Sequence, residues 1–127
     1  MSLRRFDPAA GATMIDALGA GGFRIAGAVR RGPVLVRAER AADWGGPADA
    51  AGLIGFAQGL EIVFLGMGAD FAPVPADLGR ALQAAGLRFE AMSTRSAARS
   101  YNELLSEGRR VCAALLPLPE TGAGAGG

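Results

Sequence analysis

The sequence predicts an α/β fold, and three observations predict it. A capped helix, a tight turn and a buried strand follow one another within Met92 to Pro117, MSTRSAARSYNELLSEGRRVCAALLP. From residue 61 onward the apolar segments run strand, helix, strand, helix, strand, the order that right-handed crossovers assemble into one sheet. Half of the 127 residues are hydrophobic and a fifth are charged, enough for one domain with a real core, burying roughly two-thirds of the unfolded chain's surface.

Each element has a local reason. Phe23, Ile25 and Gly27 alternate with Arg24 and Ala26, as in a strand with one buried face, and Gly32-Pro33 then turns the chain into Val34-Leu35-Val36. The expectation is an N-terminal hairpin that extends the sheet or packs over a face. Between Arg37 and Gly46 the chain is polar around Trp44, and Pro47 is placed to open a short helix carrying Leu53, Ile54 and Phe56, which Gly52 and Gly55 weaken. Ile62 to Leu65 reads as a buried strand ending at Gly66. A loop with Pro73 and Pro75 leads to a helix over 76–85, closed by Gly86, and Leu87 to Ala91 alternates as a further strand.

Ser93 or Thr94 caps the last helix, whose apolar face is Ala97, Ala98, Tyr101, Leu104 and Leu105, and Gly108 ends it. Val111 to Leu116 is a nearly continuous apolar run, as in a strand covered on both faces, and Pro117 stops it. The expected organisation is an N-terminal extension over 1–14, a single domain over 15–118 and a flexible Gly-rich tail over 119–127.

Composition excludes much chemistry. All 13 basic residues are arginine, histidine is absent and Cys112 is the single cysteine. Schiff-base lysines, Ser-His-Asp triads, Cys-His pairs and zinc sites built on His or Cys therefore have no residues to use. A formal charge of +1 with interspersed signs gives no footprint for nucleic acid. No apolar run approaches the roughly 20 residues of a membrane span. The first residues lack the apolar centre of a secretory signal, and Asp7 and Asp16 argue against a transit peptide, so a cytoplasmic bacterial protein is expected.

Candidate sites are few. Gly66-Met67-Gly68 follows a strand, where backbone N–H groups can approach an anion, but Phe71 stands where a dinucleotide fingerprint needs a third glycine, and GK[ST] is absent. A tight turn is the better reading. Arg95, Arg99, Asn102 and Ser106 form a polar stripe on the last helix, either a solvated face with an Arg99–Glu103 pair or a docking patch for a protein partner. Arg109 and Arg110 are placed to satisfy helix carbonyls or pair with Glu107. Tyr101 is expected to bury its ring while its hydroxyl reaches a backbone group, and Cys112 to be inert. Arg24 faces solvent or the cleft according to register. Asp70, Glu103 and Glu107 lack metal-cluster spacing, so no metal, cofactor or catalytic residue is assigned.

Met92, Thr94, Ala97, Arg99, Tyr101, Asn102, Leu104, Glu107, Arg109, Val111, Ala113, Ala114, Leu115 and Pro117 together resemble the signature of a family of small domains. That family includes the mitochondrial NADH:ubiquinone oxidoreductase complex assembly factor 3. Gly21 to Ile25 with Gly27, then Gly32 and Val34 to Val36, and later Phe64 to Gly68, agree in order, so the resemblance covers residues 15 to 117. The chain departs at Ser93 where Asp is frequent, at Met67 for Thr, at Ser96 for Ala and at Ser100 for Thr. The resemblance implies three layers around a mixed sheet and a non-enzymatic role through protein–protein contacts in membrane-complex biogenesis, peripheral to the inner membrane. Arg95, Arg99 and Asn102 are then the expected contacts. The alternative is a small-anion or metabolite binder, or minor enzyme, using the Gly66 to Asp70 loop with Arg99 or Arg24. A homodimer is expected and is compatible with either, because an exposed strand edge or apolar patch on a small α/β domain is often covered by a symmetric partner.

Overall fold

Two strands with no exposed side chain organise the molecule. In the computed structural model, which describes residues 11–119, β6 (Ile62–Gly66) and β8 (Val111–Leu115) are buried along their whole length. They pair in parallel at the centre of a five-stranded sheet of order β5-β4-β8-β6-β7. The other members are β4 (Val34–Arg37), β5 (Arg40–Asp43) and β7 (Arg88–Met92). β7 is parallel to β6, β4 antiparallel to β8 and β5 antiparallel to β4, so the sheet is mixed. The readings of residues 1–10 and 120–127 lie outside the described residues.

Alternation of side chains splits the core in two. Val34, Val36, Ile62, Phe64, Val111, Ala113 and Leu115 face one side, with α3 (Thr94–Ser106). Leu35, Val63, Leu65, Cys112 and Ala114 face the other, with Trp44, α1 (Ala50–Phe56) and α2 (Ala76–Ala84). The connection β6-α2-β7 steps outward and β7-α3-β8 steps back across β6. Right-handed crossovers in opposite directions place their helices on opposite faces. The result is three layers around a mixed sheet.

The N-terminal region departs from the expected hairpin. β1 (Ile15–Gly19), β2 (Gly22–Ile25) and β3 (Ala28–Arg31) form a separate antiparallel sheet, and Ile15, Phe23 and Ile25 pack on the α3 side of the core. The tight turn is Ala26-Gly27, with φ of 49° and 83°, which joins β2 to β3 in the twisted two-residue geometry hairpins favour. Gly32-Pro33 instead carries the chain from the small sheet to β4.

The short helix also starts differently. Asp49, rather than the segment at Pro47, caps α1 by accepting from Gly52 N at 2.9 Å, and it accepts from Gly45 N at 3.3 Å. A Cβ at Gly52 would collide with that carboxylate as it stands, so a larger residue there would have to displace the capping side chain.

Candidate functional site

The last helix positions most of the expected site residues. Ser93 Oγ accepts from Ser96 N at 3.2 Å, which satisfies one of the orphan donors at the start of α3. Ala97, Ala98, Tyr101 and Leu105 are buried, and Leu104 is half-buried. At the far end Gly108 takes φ of 83°, its N–H donates to Leu105 O, and Arg109 N donates to Leu104 O, each at 3.0 Å.

The polar stripe divides into two kinds of residue. Arg95 and Arg99 are exposed, and neither has an ion-pair partner among the described residues. The Arg99–Glu103 pair does not form. Asn102 is engaged internally: its Oδ1 accepts from Ile15 N at 3.0 Å and its Nδ2 donates to Ile15 O at 2.8 Å. Ser106 Oγ donates to Asn102 O at 2.9 Å. Tyr101 donates its hydroxyl to Thr13 O at 2.8 Å, so neighbouring residues of α3 tie down the chain entering β1.

The Gly66 to Gly68 loop is closed by its own hydrogen bonds. Met67 N donates to Met92 O at 2.8 Å and Gly68 N to Thr94 Oγ1 at 2.9 Å, while Thr94 Oγ1 donates to Leu116 O at 2.6 Å. Thr94 is fully buried. A Cβ on Gly66 would lie 2.8 Å from Thr94 Cα and from Leu115 Cδ2, so the glycine is explained by close approach of backbone. Two amides that an anion would need are already satisfied.

Arg24 projects from β2 opposite Ala17 and Val29, in a shallow depression of about 210 Å³ that also takes in Leu18 and Arg31. None of its lining residues belongs to α3. Arg109 pairs with Glu61 at 3.0 Å, and Arg110 lies 3.8 Å from the other oxygen of that carboxylate, so the expected partner Glu107 is replaced by a residue on the neighbouring chain segment.

A cleft of about 360 Å³ beside α3 is the feature sequence reasoning missed. Ile62 and Phe64 form its floor, Ser100, Glu103 and Leu104 one wall, Arg88 and Glu90 of β7 the other, with Arg109 at one end. It exists because α3 lies over β6 and β8 and leaves the adjoining face of β7 uncovered. The alternation of β7 signalled that Arg88 and Glu90 share a face, but their neighbours across the sheet are set by topology. Among the described residues, no group of three or more Cys, Asp or Glu side chains is placed to hold a metal ion.

Two buried groups set the alkaline behaviour. Burial pushes the Cys112 thiol from its ordinary 9.0 up to about 12, and pushes the Tyr101 hydroxyl well above its ordinary 10.0. Each is therefore held neutral in the fold, and the unfolded chain releases those protons first. The stabilising contribution of these two groups is therefore present in full below about pH 9 and is lost as pH rises through the interval to 12. Thermal melts from pH 7 to 11 should show a flat melting temperature followed by a fall, and Cys112→Ala should delay the onset toward the tyrosine range. A flat profile in the parent protein would contradict this.

No described helix is long and apolar enough to cross a membrane. The chain is 56% identical over 110 residues to an uncharacterised protein of Rhodobacter capsulatus, covering 87% of this chain and 89% of the relative. It superimposes with a TM-score of 0.74 and 31% identity on a structure described as an outer membrane protein from Bartonella henselae, covering 85% of this chain and 97% of that one. A Bordetella pertussis protein described as a Mth938-like domain matches with a TM-score of 0.73 and 29% identity over 94% of each chain. Residues 15–116 match the family described as protein of unknown function DUF498/DUF598, and this chain belongs to that family.

Proposed function

We propose that this chain is a non-catalytic docking domain that acts through protein–protein contacts in the biogenesis of a membrane complex, at the cytoplasmic side. The observation that carries this reading is the pair Arg95 and Arg99, one turn apart on the exposed side of α3, without carboxylate partners among the described residues. A guanidinium is a planar, permanently charged fork suited to carboxylates and backbone carbonyls of a partner. Here two of them are held on a helix whose buried face, cap and C-terminal turn are all satisfied, so little ordering is needed on binding.

The resemblance to complex I assembly factors supplies the class of partner. Crosslinking of a tagged copy in its native cells, followed by mass spectrometry, tests the proposal. Recovery of complex I subunits or membrane-insertion machinery is expected, and Arg95→Glu with Arg99→Glu should reduce it about tenfold while the melting temperature stays unchanged. Recovery of those proteins that the double reversal leaves intact would remove the helix face from the account. Recovery of the tagged protein alone would sink the proposal.

A further inference from the structure

β7 is an edge strand whose sequence is complementary to itself. Among the described residues it pairs only with β6. In a parallel ladder, successive residues direct their backbone groups alternately toward one neighbour and the other. Met92 O accepts from Met67 N, so Met92, Glu90 and Arg88 turn their N–H and C=O toward β6, and Leu87, Phe89 and Ala91 turn theirs to the open edge. Leu87 N is used by Leu82 O at 3.0 Å, which leaves Leu87 O, both groups of Phe89 and both groups of Ala91 on that edge.

We infer that β7 pairs antiparallel with β7 of a second copy of this chain about a two-fold axis at Phe89. Phe89 then exchanges N–H···O bonds with the partner's Phe89, and Ala91 N–H donates to the partner's Leu87 O. This is the ladder that the open groups allow. Arg88 stands opposite the partner's Glu90 at the non-hydrogen-bonded position, where facing Cα atoms come within about 4.5 Å, and Glu90 meets the partner's Arg88 by symmetry. On the other face the two Phe89 rings meet at the edge of the α2 layer.

The register is selective. An axis at Glu90 would place Glu90 against itself, and an axis at Ala91 would leave Arg88 and Glu90 facing neither each other nor an opposite charge within β7. Charges on an edge strand ordinarily repel addition of another strand. Here the order Arg88, Phe89, Glu90 converts that barrier into a preference for one partner in one alignment. The same pairing fills the mouth of the cleft beside α3, because Arg88 of the second copy arrives next to Glu90, in the space that Glu103 also lines.

Sedimentation equilibrium of the full chain across the micromolar range tests the inference. A monomer–dimer equilibrium is expected, with slowed amide exchange at Phe89 and Ala91. Glu90→Arg sets like charges opposite each other at both symmetric positions and should raise the dissociation constant at least about tenfold. The charge-swapped double variant, Arg88→Glu with Glu90→Arg, restores opposite pairs and should restore the dimer. That recovery separates pairing from misfolding. A parent chain that stays monomeric, a dimer indifferent to Glu90→Arg, or a loss that the double variant fails to reverse would each overturn the proposal.

Discussion

Replacing Thr94 with valine should lower the stability of the domain by about 2–3 kcal/mol, because it removes one oxygen that two separate segments depend on. Thr94 is fully buried and sits at the first position of α3. Its Oγ1 accepts from Gly68 N at 2.9 Å and donates to Leu116 O at 2.6 Å, while its own N–H donates to Gly68 O at 2.8 Å. Valine keeps the branched shape and the backbone bond, so packing and helix start are preserved. What is lost is the junction between the loop after β6 and the residue after β8, where a donor and an acceptor are left without their partner.

In a domain of this size the loss corresponds to a fall in melting temperature of about 10 °C. Thr94→Ser, which keeps the hydroxyl and sheds only a methyl group, should cost about 1 kcal/mol. Urea unfolding of the three proteins decides the matter. A valine variant within 0.5 kcal/mol of the parent, below what about one lost hydrogen bond is worth, would mean that water replaces the hydroxyl at both groups. The comparison also bears on Gly66, whose missing Cβ allows Thr94 to approach, and which in sequence looked like part of an anion-binding turn.

The elements legible in the sequence are those whose pattern is enforced from both sides. Ile62 to Leu65 and Val111 to Leu115 had to be central strands, since every side chain meets a covering layer. α3 was legible from its cap, its apolar face and Gly108. β3 and β5, AVRR and RAAD, carry no fully buried residue, and β1 has only Ile15. As edge strands they are specified by ladder bonds to neighbours rather than by their own side chains, so the periodicity is silent there.

Non-local contacts limited the reading of the site in the same way. A helical wheel groups Asn102 with Arg95 and Arg99, yet the group that Asn102 serves lies 87 residues earlier. Arg109 has Glu107 as its nearest carboxylate in sequence, but the turn at Gly108 aims it at Glu61 instead. The cleft beside α3 depends on which strands the helix covers, a property of the strand order rather than of any segment. The tie from Tyr101 to a backbone carbonyl was anticipated in kind, and its partner, Thr13, came only with the fold.

Asn102→Ala should cost about 2–3 kcal/mol and should loosen β1 before the rest of the molecule. The ladder between β1 and β2 is irregular between Ile15 and Ala17, and Ile15 presents its N–H and C=O on the side away from that ladder, toward α3. A primary amide offers one acceptor and one donor in a single plane, the complement of one extended residue, so Asn102 stands in for a missing neighbouring strand. Ile15 is 5% exposed, and alanine would leave both its backbone groups poorly solvated.

The amide's two roles can be separated with Asn102→Asp. An ionised carboxylate still accepts from Ile15 N but turns its second oxygen toward Ile15 O, acceptor against acceptor. The protonated acid supplies the missing O–H donor. The neutral form is therefore favoured in the fold, the folded pKa lies above the unfolded value of about 3.9, and the variant should approach the parent at low pH and fall away from it as pH rises through that range. Hydrogen exchange should show Ile15 to Leu18 losing protection in the alanine variant while the amides of β6 and β8 keep theirs. Uniform loss across both sheets would instead make Asn102 part of the global core. An alanine variant as stable as the parent would free its amide for partner contact, beside Arg95 and Arg99.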